Sequence, residues 1–361
     1  MNAPTIQNMK FISADNENYS YSGRIDFTDT TTPLLYYAGS SITLNFSGTS
    51  AKLLITNHQY YNTIVLGFII DGKEGKLIID KNDKPIVFDV VDGLENKPHE
   101  LIIFKRQDAT HYFDFHGLYI DNDAEISPPK PKPKRRIECF GDSVSAGAIC
   151  EAIDYTEKLD PEDNDGTFDN AWHSYCMITA RNLGAEIHNV SQGGIGVIDG
   201  TGYFHAPEFI GLETVYDKLC YIPEGIITTW NFSRYTPHVV IVAVGQNDPH
   251  NEGKPDNDIS NPSYRRKWKD KYKSILTKLR GHYPNTTFIL MTTVLMHSPE
   301  WDCAIEEAMQ ELICDGFGKI YHLLFKRNGS ATPGHPRIPE QCEMAEELTA
   351  FISNLGDKIW K

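Results

Sequence analysis

The sequence predicts two domains of different class: an N-terminal antiparallel β-sandwich of jelly-roll type and a C-terminal three-layer α/β domain with a five-stranded parallel sheet. The first part of the chain contains short strand-like runs without amphipathic helices, whereas the second part alternates strand-like and helix-like segments. A length of 361 residues also favours two domains. We therefore place the sandwich at residues 1–127, a linker at 128–136 and the α/β domain at 137–361.

The N-terminal runs have the composition and spacing of strands. They alternate apolar with polar residues, and Gly, Asp or Asn separates them at roughly ten-residue intervals, which is typical of sandwiches. The predicted strands are SITLNF (41–46), AKLLITN (51–57), TIVLGFIIDG (63–72), GKLIID (75–80), PIVFDVVDG (85–93), HELIIFKR (99–106) and FHGLYI (115–120).

The segment between the domains is SPPKPKPKRR, from Ser127 to Arg136. Proline has no N–H to donate and does not continue a helix, so this segment is predicted to be an extended connector. A basic cluster is also a candidate for binding nucleic acid or membrane. We favour the connector, because the whole chain is acidic.

The C-terminal domain reads as strands followed by helices, the pattern of a parallel sheet covered on both faces. The predicted strands are RIECF (136–140), AEIHNV (185–190), HVVIVAVG (238–245), TFILMTTV (287–294) and KIYHLL (319–324). The predicted helices cover residues 171–184, 263–281, 301–316 and 339–356.

The composition argues against several classes of function. With 34 Lys+Arg and 49 Asp+Glu, the formal charge is 34 − 49 = −15, so no nucleic-acid partner is expected. No apolar run is long enough to span a bilayer. The seven cysteines form no CxxC pair, and the histidines form no HExxH motif, so no metal site is predicted. The acidic run DPEDNDG (160–166) fails as a calcium loop and is read as a solvated loop.

Reactive residue types follow the predicted parallel strands. Ser143 comes after the first strand, the loop SQGGIG (191–196) after the second, Asn247 after the third and His335 after the last. Since the carboxyl ends of parallel strands meet at one edge of a sheet, we expect these groups to converge there.

This set of groups suits acyl transfer through a serine. Ser143 needs a base to remove its proton, and His335 has the right side chain. The tetrahedral oxyanion needs two or three fixed donors, which the N–H of Ser143, an N–H of the glycine loop and the Asn247 carboxamide can supply. No cofactor is required.

The motifs GDSVSAG, NVSQGG, GQND and GHP resemble, in order and spacing, those of the SGNH (GDSL-like) hydrolases. The resemblance implies that Ser143 is the nucleophile, His335 the base, and Gly194 and Asn247 oxyanion donors. Gly193 is the alternative to Gly194, because spacing alone can slip by one residue.

A sandwich ahead of such a domain is similar to carbohydrate esterase family two, whose members are bacterial polysaccharide acetyl esterases. The stretches YSGRIDF and YAGSSITLNFSG also resemble that family. The resemblance implies a serine esterase that removes acetyl groups from a plant polysaccharide such as xylan or mannan, with a preference for the 6-position. It also implies a secreted or periplasmic location, although the first twenty residues lack the pattern of a leader peptide. A monomer is expected.

One position departs from the SGNH pattern. These enzymes place an Asp three residues before the catalytic His, whereas this chain has Thr332 there. The third member of a triad orients the imidazole and stabilises its cation. The sequence therefore leaves two possibilities open: a Ser–His dyad, or a triad completed by a residue from elsewhere.

Two further expectations concern the substrate. Trp301 follows the TFILMTTV strand on a loop expected to face the site, and we interpret it as a platform that stacks on a sugar ring. Two other functions stay open: an esterase, thioesterase or lipase acting on another acyl substrate, and a non-catalytic carbohydrate-binding protein.

Overall fold

The computed structural model describes residues 3–59, 62–79, 82, 84–109, 111–222, 227–250, 257–292, 295, 299–327 and 332–361. The chain divides into two compact units. The first comprises Met1–Lys132 with Asp165–Thr167, and the second comprises Pro133–Asn164 with Phe168–Lys361.

The first unit consists of two antiparallel six-stranded sheets. One has the order β3-β4-β11-β6-β9 with β1 paired to β11, and the other has the order β12-β5-β10-β7-β8 with β2 paired to β5. The strands are β1 (Met9–Ser13), β2 (Ser20–Ser22), β3 (Ile25–Asp26), β4 (Leu34–Leu35), β5 (Ser41–Gly48), β6 (Ala51–Gln59), β7 (Ile64–Ile70), β8 (Lys73–Ile79), β9 (Ile86–Val91), β10 (Lys97–Lys105), β11 (His111–Asp121) and β12 (Ile126–Ser127).

Alternation along the strands builds the core of this unit. On β5, Leu44 and Phe46 are buried while Asn45 between them is only half-buried, since successive side chains point to opposite faces. Leu44 packs in one apolar cluster with Leu101 of β10 in the same sheet and Phe115 of β11 in the other. The first unit is therefore a β-sandwich.

The second unit has a five-stranded parallel sheet with the order β14-β13-β17-β18-β19, together with a small hairpin, β15-β16. Its strands are β13 (Arg135–Gly141), β14 (Ala185–Asn189), β15 (Lys218–Tyr221), β16 (Ile227–Thr229), β17 (Val239–Ala243), β18 (Thr287–Met291) and β19 (Ile320–His322). Its helices are α1 (Ser143–Ala146), α2 (Tyr175–Asn182), α3 (Leu212–Val215), α4 (Pro262–His282), α5 (Pro299–Cys314) and α6 (Ile338–Asn354).

Helices cover both faces of this sheet. Ile241 of β17 packs with Tyr175 of α2 and Leu348 of α6 on one face. Its neighbours Val240 and Val242 are equally buried but point to the opposite face; α5 packs against β18 and β19, and α4 packs against α5. The two predicted fold classes are thus confirmed, sandwich first and three-layer α/β second.

One predicted helix is interrupted. The sequence predicts a continuous helix over 171–184, but Ala171–His173 forms a 3-10 turn, and Ser174 is extended before α2 begins. Asn170 caps the 3-10 turn by accepting the Trp172 N–H.

No helix in the described parts of the chain combines the length and apolarity that a membrane crossing requires.

Candidate active site

A sharp turn from β13 into α1 presents Ser143. The Asp142 carboxylate caps α1 by accepting the Val144 N–H at 3.0 Å. Gly141 is required before it, because a Cβ there would lie 2.1 Å from Ser145 Oγ. Asp142 is fully buried, and burial raises its pKa to about 6 despite that hydrogen bond. Asp142 therefore shapes the turn and leaves the Ser143 hydroxyl free to react.

His335 lies in the segment leading to α6 and reaches the serine directly. Its Nε2 is 2.9 Å from Ser143 Oγ, within hydrogen-bond distance. Gly334 allows this approach, since a Cβ there would lie 2.6 Å from Asp160 Oδ1 and 2.7 Å from the Lys158 carbonyl oxygen. The structure thus brings together the predicted nucleophile and the predicted base.

Asp160 supplies the third member of a triad. Its Oδ2 is 2.6 Å from His335 Nδ1, and its Oδ1 accepts the His335 backbone N–H at 2.9 Å. Partial burial acts to raise the pKa of Asp160, but hydrogen bonds from His335 and Arg337 and the charge of His335 outweigh it and hold the pKa at about 2. An ionised Asp160 requires a proton on Nδ1, so the neutral imidazole presents a bare Nε2 to Ser143.

Of the two possibilities left open by Thr332, the geometry is that of the triad completed from elsewhere. Thr332 is buried, and its hydroxyl donates to Glu340 Oε1 at 3.3 Å. Asp160 belongs to the run DPEDNDG, whose composition predicts a solvated loop, and for Asp160 that prediction is wrong. It lies 175 residues before His335, so no local spacing links the two in sequence.

The glycine loop after β14 lies beside the nucleophile turn. The Gln192 N–H donates to the Gly141 carbonyl at 3.0 Å, and Asn247 Nδ2 donates to the Ile195 carbonyl at 3.1 Å. Gly194 adopts φ +71°, and a Cβ there would lie 2.8 Å from Tyr203 Cβ. The loops after β13, β14 and β17 are therefore bonded to one another at the same edge of the sheet.

Two backbone amides at this edge are available to an oxyanion. Within the described residues, neither the Ser143 N–H nor the Gly194 N–H donates to a protein acceptor. Unpaired donors beside a serine–histidine pair are what stabilisation of a tetrahedral oxyanion requires.

Asp248, next to Asn247, accepts hydrogen bonds from the backbone of the residues that directly follow the glycine loop. Its carboxylate oxygens lie 2.8 and 3.0 Å from the Val197 N, and it also accepts from the Ile198 N–H and the Thr201 hydroxyl. Burial raises the pKa of Asp248 to about 7 against these hydrogen bonds. The sequence indicates no role for this residue beyond a structural one, and its contacts are those of a positioning residue.

The prediction that Trp301 is a sugar-stacking platform is wrong. Trp301 is only 1% exposed on α5, with its ring centroid 5.2 Å from that of Trp268 in an edge-to-face contact, so it belongs to the core. On the glycine-loop side, Tyr203 is 57% exposed, and its ring lies 4.9 Å from that of His250. The Tyr203 N–H donates to the Gly194 carbonyl at 2.8 Å.

Over the described residues, no group of three or more His, Cys, Asp or Glu side chains is placed to hold a metal ion. The site is built from side chains and backbone amides of the chain itself.

Comparison with known proteins agrees with this architecture. The family model described as carbohydrate esterase 2 N-terminal matches residues 21–130. The chain is 27% identical over 350 residues to a cellulase/esterase, CelE, from Acetivibrio thermocellus, covering 94% of this chain and 40% of that protein. It is 27% identical over 241 residues to an acetylxylan esterase/glucomannan deacetylase from Cellvibrio japonicus, covering 64% of this chain and 60% of that protein. The chain thus spans about half the length of these curated relatives.

A solved structure extends the likeness over both units. The structure of a family two carbohydrate esterase from Clostridium thermocellum in complex with cellohexaose has a TM-score of 0.77 and 27% sequence identity. The match covers 95% of this chain and 100% of that chain. On these matches and on its fold, the chain is similar to carbohydrate esterases of family 2.

Proposed function

We propose that the chain is a carbohydrate O-acetyl esterase that removes acetyl groups from plant polysaccharide of the xylan or mannan type by serine catalysis. The observation that carries the proposal is the continuous set of hydrogen bonds from Ser143 through His335 to Asp160, with unpaired amides beside it. The names of the two curated relatives, an esterase and an acetylxylan esterase/glucomannan deacetylase, support the reaction class.

The first half of the reaction acylates the serine. Ser143 Oγ attacks the acetyl carbonyl carbon while His335 Nε2 takes the hydroxyl proton. The N–H groups of Ser143 and Gly194 and the Asn247 carboxamide bind the oxyanion, and Asp160 stabilises the imidazolium. When the intermediate collapses, His335 returns the proton to the departing sugar oxygen, leaving an acetyl ester on Ser143 and a free hydroxyl on the sugar.

The second half regenerates the enzyme. Water takes the place of the sugar, His335 removes its proton, and the resulting hydroxide attacks the acetyl-serine carbonyl. Collapse of the second tetrahedral intermediate releases acetic acid, and Ser143 Oγ recovers its proton from His335. No cofactor enters either half.

The substrate is proposed in more detail from the family. Cellohexaose bound in the Clostridium thermocellum esterase supports a glycan as the group that carries the acetyl ester. We place the ester at the 6-position by resemblance to the family. Because such polysaccharides lie outside the cell, we also propose a secreted or periplasmic location.

The decisive experiment is acetate release from acetylated glucomannan, acetylated xylan and a 4-nitrophenyl ester series. Wild type is expected to release acetate and to prefer acetyl over octanoyl esters, while Ser143→Ala and His335→Ala lose this activity. A rate that rises toward octanoyl would instead indicate a lipase or thioesterase, since a long acyl chain needs a larger apolar slot. Glycan binding without turnover by wild type would indicate a non-catalytic binding protein.

A further inference from the structure

The acid of the triad is held by a buried arginine. Arg337 is 0% exposed, and its Nη2 lies 2.9 Å from Asp160 Oδ1. The same guanidinium donates to the carbonyl oxygens of His335 and Leu159. One cationic side chain therefore contacts the acid, the backbone of the base and the residue that precedes the acid.

The two carboxylate oxygens of Asp160 have different hydrogen-bond partners. Oδ2 accepts from His335 Nδ1 at 2.6 Å. Oδ1 accepts the His335 backbone N–H and the Arg337 guanidinium, both at 2.9 Å. Because the carboxylate is fixed at both oxygens, its plane and its distance to the imidazole are set by Arg337 as well as by His335.

Arg337 is itself fixed at the start of α6. Glu340 Oε2 accepts the Arg337 backbone N–H at 2.7 Å, while Glu340 Oε1 accepts the Glu157 N–H and the Thr332 hydroxyl, both at 3.3 Å. Thr332, at the position of the usual triad Asp, thus belongs to the support of Arg337. The loop that carries Asp160 is held against α6 through the same glutamate.

We propose that Arg337 is a positioning residue for catalysis, which fixes the acid contributed by a distant loop and offsets its negative charge beside the imidazole. The proposal rests on the serine mechanism proposed above. Without the guanidinium, the negative charge of the carboxylate would stand uncompensated beside the imidazole, so the pH dependence of the serine reaction reports on Arg337.

Other charged groups near this pair are common to all the variants compared below. Asp142 lies behind the nucleophile turn and interacts with His335. Glu340 accepts the Arg337 N–H and lies 3.6 Å from Arg327, which also pairs with Glu157 at 2.8 Å. A shift between variants therefore reports the substituted residue.

The test compares Arg337→Gln, which removes the charge, with Arg337→Lys, which retains it. Arg265→Gln is the matched control, since the ion pair of Arg265 with Glu307 at 2.6 Å joins α4 to α5 and includes none of the residues named above. The readout is the pH dependence of Ser143 labelling by a fluorophosphonate probe, which needs no glycan, measured alongside aryl acetate hydrolysis. Thermal unfolding verifies that each variant is folded.

For Arg337→Gln we expect the acid midpoint of labelling to move up by about one pH unit, and the plateau rate to fall at least about tenfold. Arg337→Lys and Arg265→Gln keep the wild-type midpoint. In an Asp160→Asn background, Arg337→Gln lowers the rate no further, because Arg337 acts through that carboxylate.

An unchanged midpoint in folded Arg337→Gln, or an equal shift in Arg265→Gln, overturns the proposal. So does a wild type whose Ser143 is labelled no faster than that of an Asp160→Asn, His335→Ala double variant. If Ser143 is labelled as expected but acetylated glycans release no acetate, the proposed substrate is wrong and the role of Arg337 stands.

Discussion

Replacing Asp160 by Asn removes the charge of the triad acid while keeping its shape. In the wild-type protein, Asp160 accepts two hydrogen bonds from His335, at 2.6 and 2.9 Å, and one from Arg337. An Asn side chain has an NH2 group in place of one carboxylate oxygen. In either orientation this NH2 group faces the N–H of His335 Nδ1 or the guanidinium, so two hydrogen-bond donors are brought together. The imidazole is then driven to the tautomer with its proton on Nε2, which cannot accept the proton of Ser143.

The expected cost follows from that tautomer change. Isosteric removal of the acid in a Ser-His-Asp triad lowers kcat by about 10⁴. The Asp160 side chain is 30% exposed, so solvent replaces part of the lost interaction, and we expect a loss of about 10²- to 10⁴-fold, or roughly 3–5 kcal/mol in the barrier. KM is expected to stay within about threefold, because the contact acts on the transition state.

The assay is steady-state hydrolysis of 4-nitrophenyl acetate and acetylated glucomannan. Asp163→Asn is the matched control, since it makes the same change on an exposed residue of the same loop. If Asp160→Asn retained kcat within about threefold of wild type, the enzyme would work as a Ser–His dyad, and the triad inferred from the structure would be refuted.

Three further predictions concern residues around the triad. Thr332→Val removes a hydrogen bond to Glu340 and none to His335, so kcat should stay within about twofold while stability falls by about 1 kcal/mol, measured by kinetics and urea unfolding. Because its ring is buried in the core, Trp301→Phe should lower the free energy of unfolding by about 1–3 kcal/mol and leave KM for acetylated glycans unchanged. A raised KM with unchanged stability would instead support Trp301 as a sugar platform. Burial raises the pKa of Asp142 to about 6 and of Asp248 to about 7 from 3.8, so their contribution to stability is complete below about pH 4 and is lost as the pH rises through those values. Tm should therefore fall as the pH rises from about 4 to about 7, and fall less in Asp248→Asn; an equal slope in the variant would contradict the assignment.

The parts of this protein that sequence predicts well are those governed by local periodicity. Apolar patterning predicts the longer strands of the first unit and the five parallel strands of the second, but not the short strands β2, β3, β4, β12, β15 and β16 or the edge strand β1. The carboxyl ends of the parallel strands bring Ser143, the glycine loop and Asn247 to one edge. The interrupted helix before α2 shows the limit, because Ser174 takes an extended conformation within an otherwise helical pattern.

The missed residues are those whose role depends on contacts between distant segments. Asp160 lies in an acidic, Gly-containing run whose composition is typical of a solvated loop, and only its docking against α6 brings it to His335. Trp301 sits after a strand of the catalytic edge, as a platform would, but α5 begins at Pro299 and turns the ring toward Trp268. Neither outcome follows from residue type or spacing.

The most direct test of the account is to trap the acyl-enzyme. Wild type mixed with an acetylated substrate and quenched in acid within one turnover should carry one acetyl group on the peptide that contains Ser143, as detected by mass spectrometry. Asp160→Asn should accumulate the same adduct more slowly, and Ser143→Ala should show none. Acetate release by Ser143→Ala at the wild-type rate, or turnover with the acetyl group on a different residue, would contradict it.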